Sequence, residues 1–441
     1  MEVNPERPPH YGAPAADATS PVLEKHGRGK RLKVAYVVSR FPHVSETFIA
    51  RELDAVSGRP GLELELLALF PAVESTVHPR ARRWLTNLRR PRAGEAAAGI
   101  AWWARRRPAR LAASVALVIG GYARRPALLA RALATLPIAA AHARGVQRRG
   151  VDHVHAHYAT YPLLAAWLCN RLTGVPYSVT VHAHDIFVDR SFLRRRLAHA
   201  TFIAAVSEYN RRFLARDGSS GGTPVHVVRC GIEPAAYRFR PRAPAPGGPV
   251  RALCVASLQE YKGHRVLLEA LAGAGRRLAS LQLDLVGNGP LRAELEKLAR
   301  ELGLQSRVCF HGSLAESGVT DMLETADLFV LPSVVARNGQ MEGLPVSLME
   351  ALAAGAPVVA TRLSGIPEMV RDGETGLLAE PNSPEDLARA LEAVLDQPAA
   401  AQARAEAGRR LVEREYDVRR SAALLAHLFL GERQPGSIQP K

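Results

Sequence analysis

Cysteine is scarce in this 441-residue chain: Cys169, Cys230, Cys254 and Cys309 are widely spaced, and none sits in a CxxC or Cys/His ligand pattern. That excludes a disulfide framework and a cysteine zinc module, and reads as buried free thiols of a reducing compartment. Long hydrophobic runs are also missing. The longest, Leu111 to Ala123, is broken by small residues and a Gly-Gly pair and is too short to span a bilayer. Residues 1–30 lack the apolar core of a signal peptide, so a cytoplasmic protein is expected. The chain has no GxxxxGK[ST] loop, which disfavours a kinase or ATPase, and no GxGxxG fingerprint for a dinucleotide. It has neither a nucleophile elbow nor Ser-His-Asp spacing. Acidic residues are short as well: 42 Asp and Glu stand against 58 Lys and Arg, a formal charge of +16. Such a surplus calls for an anionic partner, which is nucleic acid, anionic lipid or a phosphorylated substrate.

What is present is ample apolar residue, 47% of the chain, over a length that predicts two α/β domains. The reading divides the chain into a disordered leader (1–30), a first Rossmann-like domain (31–240) and a Pro/Gly linker (241–249). A second such domain (250–412), a crossover helix (413–433) and a tail (434–441) follow. RLKVAYVVS is the first strand. A loop with Pro42 and an N-cap at Ser45 leads into a helix whose apolar face is Phe48, Ile49, Leu53 and Val56. A strand, a polar turn and a helix start form an anion-friendly arrangement.

An insertion of about 80–150 holds sixteen arginines and one acid, Glu95, and interleaves them with Trp84, Trp102 and Trp103. Arginines beside tryptophans on apolar helices suit an anionic membrane surface, with rings and stems at the interface. A solvated helical insertion is the other reading. DNA ranks below both because no recognition motif accompanies the charge.

VDHVHAHYAT puts His153, His155 and His157 on one face of a strand, where structural imidazoles fit better than zinc ligands, so no metal is assigned. YSVTVHAHDIF brings His182 and Asp185 to a strand's carboxyl end, where open α/β sheets bind ligands. In the second half, Lys262 follows one strand in a loop and Gly287 opens the GNGP turn of the next. NGQMEGLPVSLMEALAAG then sets Glu342 eight residues before Glu350, with a glycine loop leading into a helix. Lysine and glycine loops at sheet ends suit phosphate, and paired carboxylates suit the hydroxyls of ribose or sugar.

With these motifs in order, the chain resembles the family 4 retaining glycosyltransferases of GT-B fold. FPHVSETFIARELDAV, VTVHAHDIF, VVRCGIEPAAYRF, EYKGHRVLLEAL, LDLVGNGPLRAEL and GIPEMVRDGETGLLAEPNSPEDLARAL carry the resemblance from Lys33 onward. The FPxxSETFI opening is similar to the exopolysaccharide and colanic-acid-type subgroup. The resemblance implies two Rossmann-like domains facing across a cleft, with the last helix crossing back to the first. It implies that His182 lies near the transferred sugar and that Lys262 and Gly287 serve the donor diphosphate. Glu342 would lie by the sugar, Gly343, Leu344 and Pro345 would offer backbone to phosphate and sugar, and Glu350 would hold the ribose. Pro42, Ser45, Glu46 and Thr47, with His182 and Asp185, would face the acceptor and phosphate. His182, Lys262 and Glu342 are its catalytic candidates. The implied substrates are a UDP- or GDP-sugar, with no cofactor beyond it, and a saccharide or polyprenyl-diphosphate-linked acceptor at the inner membrane face. Nucleic acid is not an implied partner. One departure stands out: where members carry Gly-Arg before the lysine loop, this chain has Ala256-Ser257, with Arg265 or Arg337 as candidate replacements. A weakened relative that serves as a binding or scaffold subunit is the competing reading.

Overall fold

The computed structural model describes residues 31–42, 46–72, 79–242, 249–274, 276 and 278–431. The leader, His43, Ser45, most of the linker and the tail lie outside the described residues.

Two wholly parallel sheets organise the chain. In the first, β1 (Leu32–Val38), β2 (Leu62–Ala68), β3 (Leu88–Arg89), β4 (His153–His157), β5 (Tyr177–Val181), β6 (Ile203–Ala205) and β7 (Val225–Val227) run in the order β3-β2-β1-β4-β5-β6-β7. In the second, β8 (Val250–Val255), β9 (Leu281–Val286), β10 (Val308–Gly312), β11 (Leu328–Leu331), β12 (Val358–Thr361) and β13 (Leu377–Ala379) run β10-β9-β8-β11-β12-β13. Both orders reverse beside their first strand, at β1/β4 and at β8/β11, and such switch points open a crevice at the strands' carboxyl ends. The near-continuous apolar strands explain why: Val34 to Val37 and Leu328 to Leu331 are fully buried, as strands covered on both faces must be.

Helix α1 (Thr47–Ser57) covers one face of the first sheet together with the last helix. Helices α2 (Ala93–Arg106), α3 (Pro108–Tyr122), α4 (Pro126–Arg149) and α5 (Tyr161–Thr173) build the other face. Helix α4 is long and apolar enough to cross a membrane by length and composition, yet it packs on α2 and α5 and buries Ala132, Leu136, Ala139, Ala140, Ala143 and Val146. Helix α9 (Val418–Leu430), numbered after α6 (Glu208–Arg216), α7 (His264–Gly273) and α8 (Val346–Ala354), returns to the first domain and packs on α1. It buries Ala422, Leu425 and Phe429, of which the two large side chains contribute about 2 kcal/mol each. The backbone steers it there. Ile232 donates to Tyr416 O at 2.9 Å, and Val418 donates to Ile232 O at 2.8 Å, so the returning chain pairs with the segment that leaves the first sheet.

Two of the insertion's three tryptophans do not lie at the surface, where the interfacial reading has them. Trp84 is buried and donates its indole N–H to Asp54 at 2.7 Å. Trp103 is buried and donates to Ala140 O at 3.0 Å. Each ring hides more apolar area inside the domain than it could at a surface, and each N–H finds an internal acceptor. Trp102 lies between Arg106 and Arg144, 4.8 and 5.7 Å from its ring centroid. What α3 exposes instead is Ala112, Ala116 and Ile119, between Arg105, Arg106 and Arg110 at one end and Arg124 and Arg125 at the other. An apolar groove lined by Ala104, Pro108, Leu111, Val115 and Ile119 runs along it.

Candidate active site

The loops that follow β5, β8 and β11 carry the polar groups of the site. After β5, the chain turns at His182, and Asp185 explains the turn. Its carboxylate accepts from the backbone N–H of His182 at 3.1 Å, of Ala183 at 2.8 Å and of Ala159 at 2.8 Å. Asp185 is buried, and these bonds occupy it. It therefore fixes the loop rather than facing the cleft as the acceptor-side reading has it. Asn210 of α6 donates to the His182 carbonyl. The His182 ring is buried between Phe48 and Tyr158, with centroids 5.0 and 4.3 Å away. Burial holds its pKa well below the usual imidazole value, with the nearby His157 and His184 adding to this, so the ring is neutral.

From the second domain, Lys262 pairs with Glu342, and both are nearly buried. Burial works against the ammonium charge, but the Glu342 carboxylate outweighs it and raises the lysine pKa. The site thus keeps a fixed cation at the carboxyl end of β8. Gly287, in the left-handed half of backbone space at φ +138°, passes so close to Ala256 that a Cβ would lie 2.0 Å from its carbonyl oxygen. Gly343 faces the first domain: a Cβ there would sit 2.7 Å from His182 O. Leu344 and Pro345 are buried, and Pro345 is the N-cap residue of α8.

Glu350, one turn into α8, has another neighbour. Arg51 of α1 reaches across and donates to Glu350 at 2.9 Å and to Glu316 at 2.6 Å, and Tyr237 donates to Glu350 at 2.9 Å. Arg51 is 3% exposed, so this is a buried bridge between the domains. Arg51→Met would leave two carboxylates facing each other and is expected to cost about 3 kcal/mol. Urea unfolding checks this; an unchanged midpoint would show that the bridge does not hold the domains together. A second contact runs the other way. Glu368 accepts from the N–H groups of Glu208 and Tyr209 at 3.0 and 2.8 Å, so it caps α6 from the opposite domain.

Two α/β domains with this strand order, closed on glycine loops and a lysine–carboxylate pair, match known proteins. Residues 238–411 match the glycosyl transferases group 1 family, and residues 96–236 match glycosyltransferase family 4. The 2-deoxystreptamine glucosyltransferase of Streptomyces kanamyceticus is 32% identical over 302 residues, 62% of this chain and 76% of that protein. The chain belongs to glycosyltransferase family 4. The amylovoran biosynthesis glycosyltransferase of Erwinia amylovora is 39% identical to this family 4 member over 171 residues, 39% of this chain and 41% of its own length. The chain therefore spans about two fifths of that relative. In fold it resembles the Anabaena protein HepE, crystallised with UDP and glucose, at a TM-score of 0.66 and 16% identity over 90% of this chain and 99% of that one.

For this family 4 member the structure pairs Lys262 with Glu342, brings Gly343 to His182, sets Gly287 against Ala256 and sets Glu350 against Arg51. Helix α1 begins at Thr47 with Glu46, not Ser45, in the N-cap position, and Glu46 makes no side-chain cap bond. Pro42 is buried beside it. Neither candidate for the missing arginine reaches Lys262: Arg265 pairs with Glu294, and Arg337 with Glu260 at 3.0 Å, both on the surface. His155 sits near Glu52 and His157 in a set that could hold a metal, but its two nitrogens bond Ser178 at 2.8 Å and Thr180 at 2.9 Å. Arg51, Glu52, Tyr158 and Glu368 were not legible as site residues. Arg51 and Glu52 interrupt an apolar helical face, which normally marks solvent exposure. Only their burial in the fold reveals them.

Proposed function

We propose that this family 4 enzyme moves a sugar, with retention of configuration, from a UDP- or GDP-linked donor to a saccharide or polyprenyl-diphosphate-linked saccharide in surface or exopolysaccharide synthesis. The observation that carries this reading is the Lys262–Glu342 pair beside the Gly343 peptide and His182. Lys262 spends one of its three N–H donors on Glu342, leaving two for the oxygens of a leaving diphosphate. The backbone N–H groups of Gly343, Leu344 and Val346, entering α8, lie where negative charge develops. Glu350 is offered to the ribose, whose hydroxyls would take over contacts now made by the Arg51 guanidinium and the Tyr237 hydroxyl. The acceptor hydroxyl attacks the face that the diphosphate leaves, and the leaving phosphate takes its proton. Lysine and backbone donors do here what a divalent ion does in other transferases. Closure of Gly343 on the His182 loop excludes water from the reacting centre. The name of the Erwinia relative supports the polysaccharide setting.

The arginines at both ends of α3 and the apolar strip between them support peripheral attachment to an anionic, cytoplasmic membrane face. A second reading, a family member kept as a binding subunit, rests on Ser257 in place of an arginine. The test is nucleotide release from a panel of UDP- and GDP-sugars, with a polyprenyl-diphosphate sugar in phosphatidylglycerol vesicles as acceptor. Release of one nucleotide only when acceptor is present is expected. Co-sedimentation with these vesicles, but not with phosphatidylcholine, should accompany it and weaken with salt. Absence of calorimetric binding to both UDP and GDP would favour the binding subunit.

A further inference from the structure

Beneath the candidate active site lies a buried chain of hydrogen-bonding groups that the reaction as described does not use. His157, the last residue of β4, lies between Glu52 of α1 and His182. Its Nε2 is 3.0 Å from Glu52 Oε1, and its Nδ1 is 3.3 Å from His182 Nε2. On the far side of the His182 ring, Nδ1 lies 4.0 Å from Cys230 Sγ. His157 is fully buried, and Glu52 and His182 are 9% and 8% exposed.

The order of these groups gives the chain a direction. An ionised carboxylate accepts only, so His157 Nε2 carries a hydrogen. His182 is neutral and its Nδ1 faces the protonated Cys230 thiol, so its Nε2 carries the ring hydrogen and donates it to His157 Nδ1. That leaves the His182 Nδ1 lone pair as an acceptor. Burial, followed by the Glu52 charge, raises the Cys230 thiol pKa, so the thiol meets this nitrogen as a weak S–H donor. Of the two partners of the His182 ring, the thiol contact is long and soft and the imidazole contact is a true bond.

The ring is held in place by more than these bonds. Tyr158, directly after β4, adopts φ +75°, a left-handed conformation that costs a bulky residue of the order of 1–3 kcal/mol. The backbone pays this where Tyr158 N–H donates to Thr180 O at 2.9 Å, and the outcome is a phenol ring against His182.

We propose that Glu52 and His157 are positioning residues that lock His182 as the Nε2–H tautomer, so that its Nδ1 accepts a substrate hydroxyl in place of the Cys230 thiol. This rests on the reading that His182 meets the substrate. Metal-binding histidines are oriented by the same logic, in which a carboxylate behind the ring fixes which nitrogen faces forward.

The test has an arm that needs no activity. In donor-free protein labelled with ¹⁵N-histidine, the His182 resonance is expected to show a protonated Nε2 and a bare Nδ1. The paired variant Glu52→Leu/His157→Leu, which leaves no unpaired charge behind, should mix the two tautomers. His157→Asn, whose side-chain oxygen can take the place of Nδ1, should restore the first. In turnover, the paired variant is expected to lower kcat ten- to a hundredfold with little change in donor KM, with His157→Asn recovering most of it. A His182 tautomer that is unchanged in the paired variant, or a kcat within twofold of the parent, overturns the proposal. His182→Ala separates the two ideas. If it stays active, the assignment of His182 itself is wrong; if it is inactive while the paired variant is not, only the positioning role is.

Discussion

Lys262→Met is expected to lower sugar transfer by about two to three orders of magnitude, the range for loss of one preorganised donor aimed at developing charge. Glu342→Gln should lose transfer as well, because the carboxylate keeps the ammonium ionised and aimed. The two side chains are 12% and 11% exposed, so the single lysine variant also leaves a carboxylate with little water and no partner. That is expected to cost about 3 kcal/mol of stability. The double variant Lys262→Met/Glu342→Gln removes both charges and should recover most of the stability with none of the activity. Nucleotide release at saturating donor and thermal unfolding, run on all three, separate the electrostatic role from the structural one. Full activity in both single variants would sink the assignment.

The protein is expected to lose stability steeply on mild acidification. Burial lowers the pKa of His142 to about 4, of His153 to about 3 and of His264 to about 4. His155 and His182 are held well below the usual value too. In the unfolded chain these imidazoles take up protons near pH 6.5, while in the fold they stay neutral. Their stabilising contribution is therefore complete above about pH 6.5 and is lost as pH falls toward about 4. Each such group loses about 1.4 kcal/mol per pH unit in that window. His142, His153 and His264 alone would remove roughly 5 kcal/mol between pH 6.5 and 5, comparable to the whole stability of a domain. Urea midpoints at pH 7.5, 6.5, 5.5 and 5 check this, and a flat profile would contradict it. His264 offers a control. Neither of its ring nitrogens has a partner among the described residues, so His264→Leu should remove one titrating group at no cost to packing bonds.

The parts of the fold that were legible are those in which one strand or helix speaks for itself. Runs such as KVAYVV and DLFVLP are apolar on both faces, and only parallel sheets covered on both sides ask for that. The glycine loop before Glu350 and the strand-end position of His182 followed from the same strand–loop–helix rhythm. The rest depends on groups far apart in sequence. Arg51 meets Glu350 across 299 residues, and Glu208 meets Glu368 across 160. Local periodicity holds no record of such pairs. Trp84 and Trp103 misled for a related reason: beside so many arginines they read as interfacial, but Asp54 and the Ala140 carbonyl, both outside their local sequence, draw them inward. Asp185 read as a cleft residue because its position is right; its orientation is set by three N–H groups.

The contact of Gly343 with the His182 carbonyl has a mechanical side. A second glycine repeats it: a Cβ on Gly365 would lie 2.8 Å from Gly343 O and 3.0 Å from the Ser207 side chain. Two hydrogen atoms, rather than two methyl groups, thus set how closely the domains sit against each other. They act as a spacer of the least possible thickness, and that thickness is written in two single codons. A methyl group at either place is a shim that would part the two domains, with Lys262 and Glu342 still paired within the second but the Arg51–Glu350 bridge between them stretched.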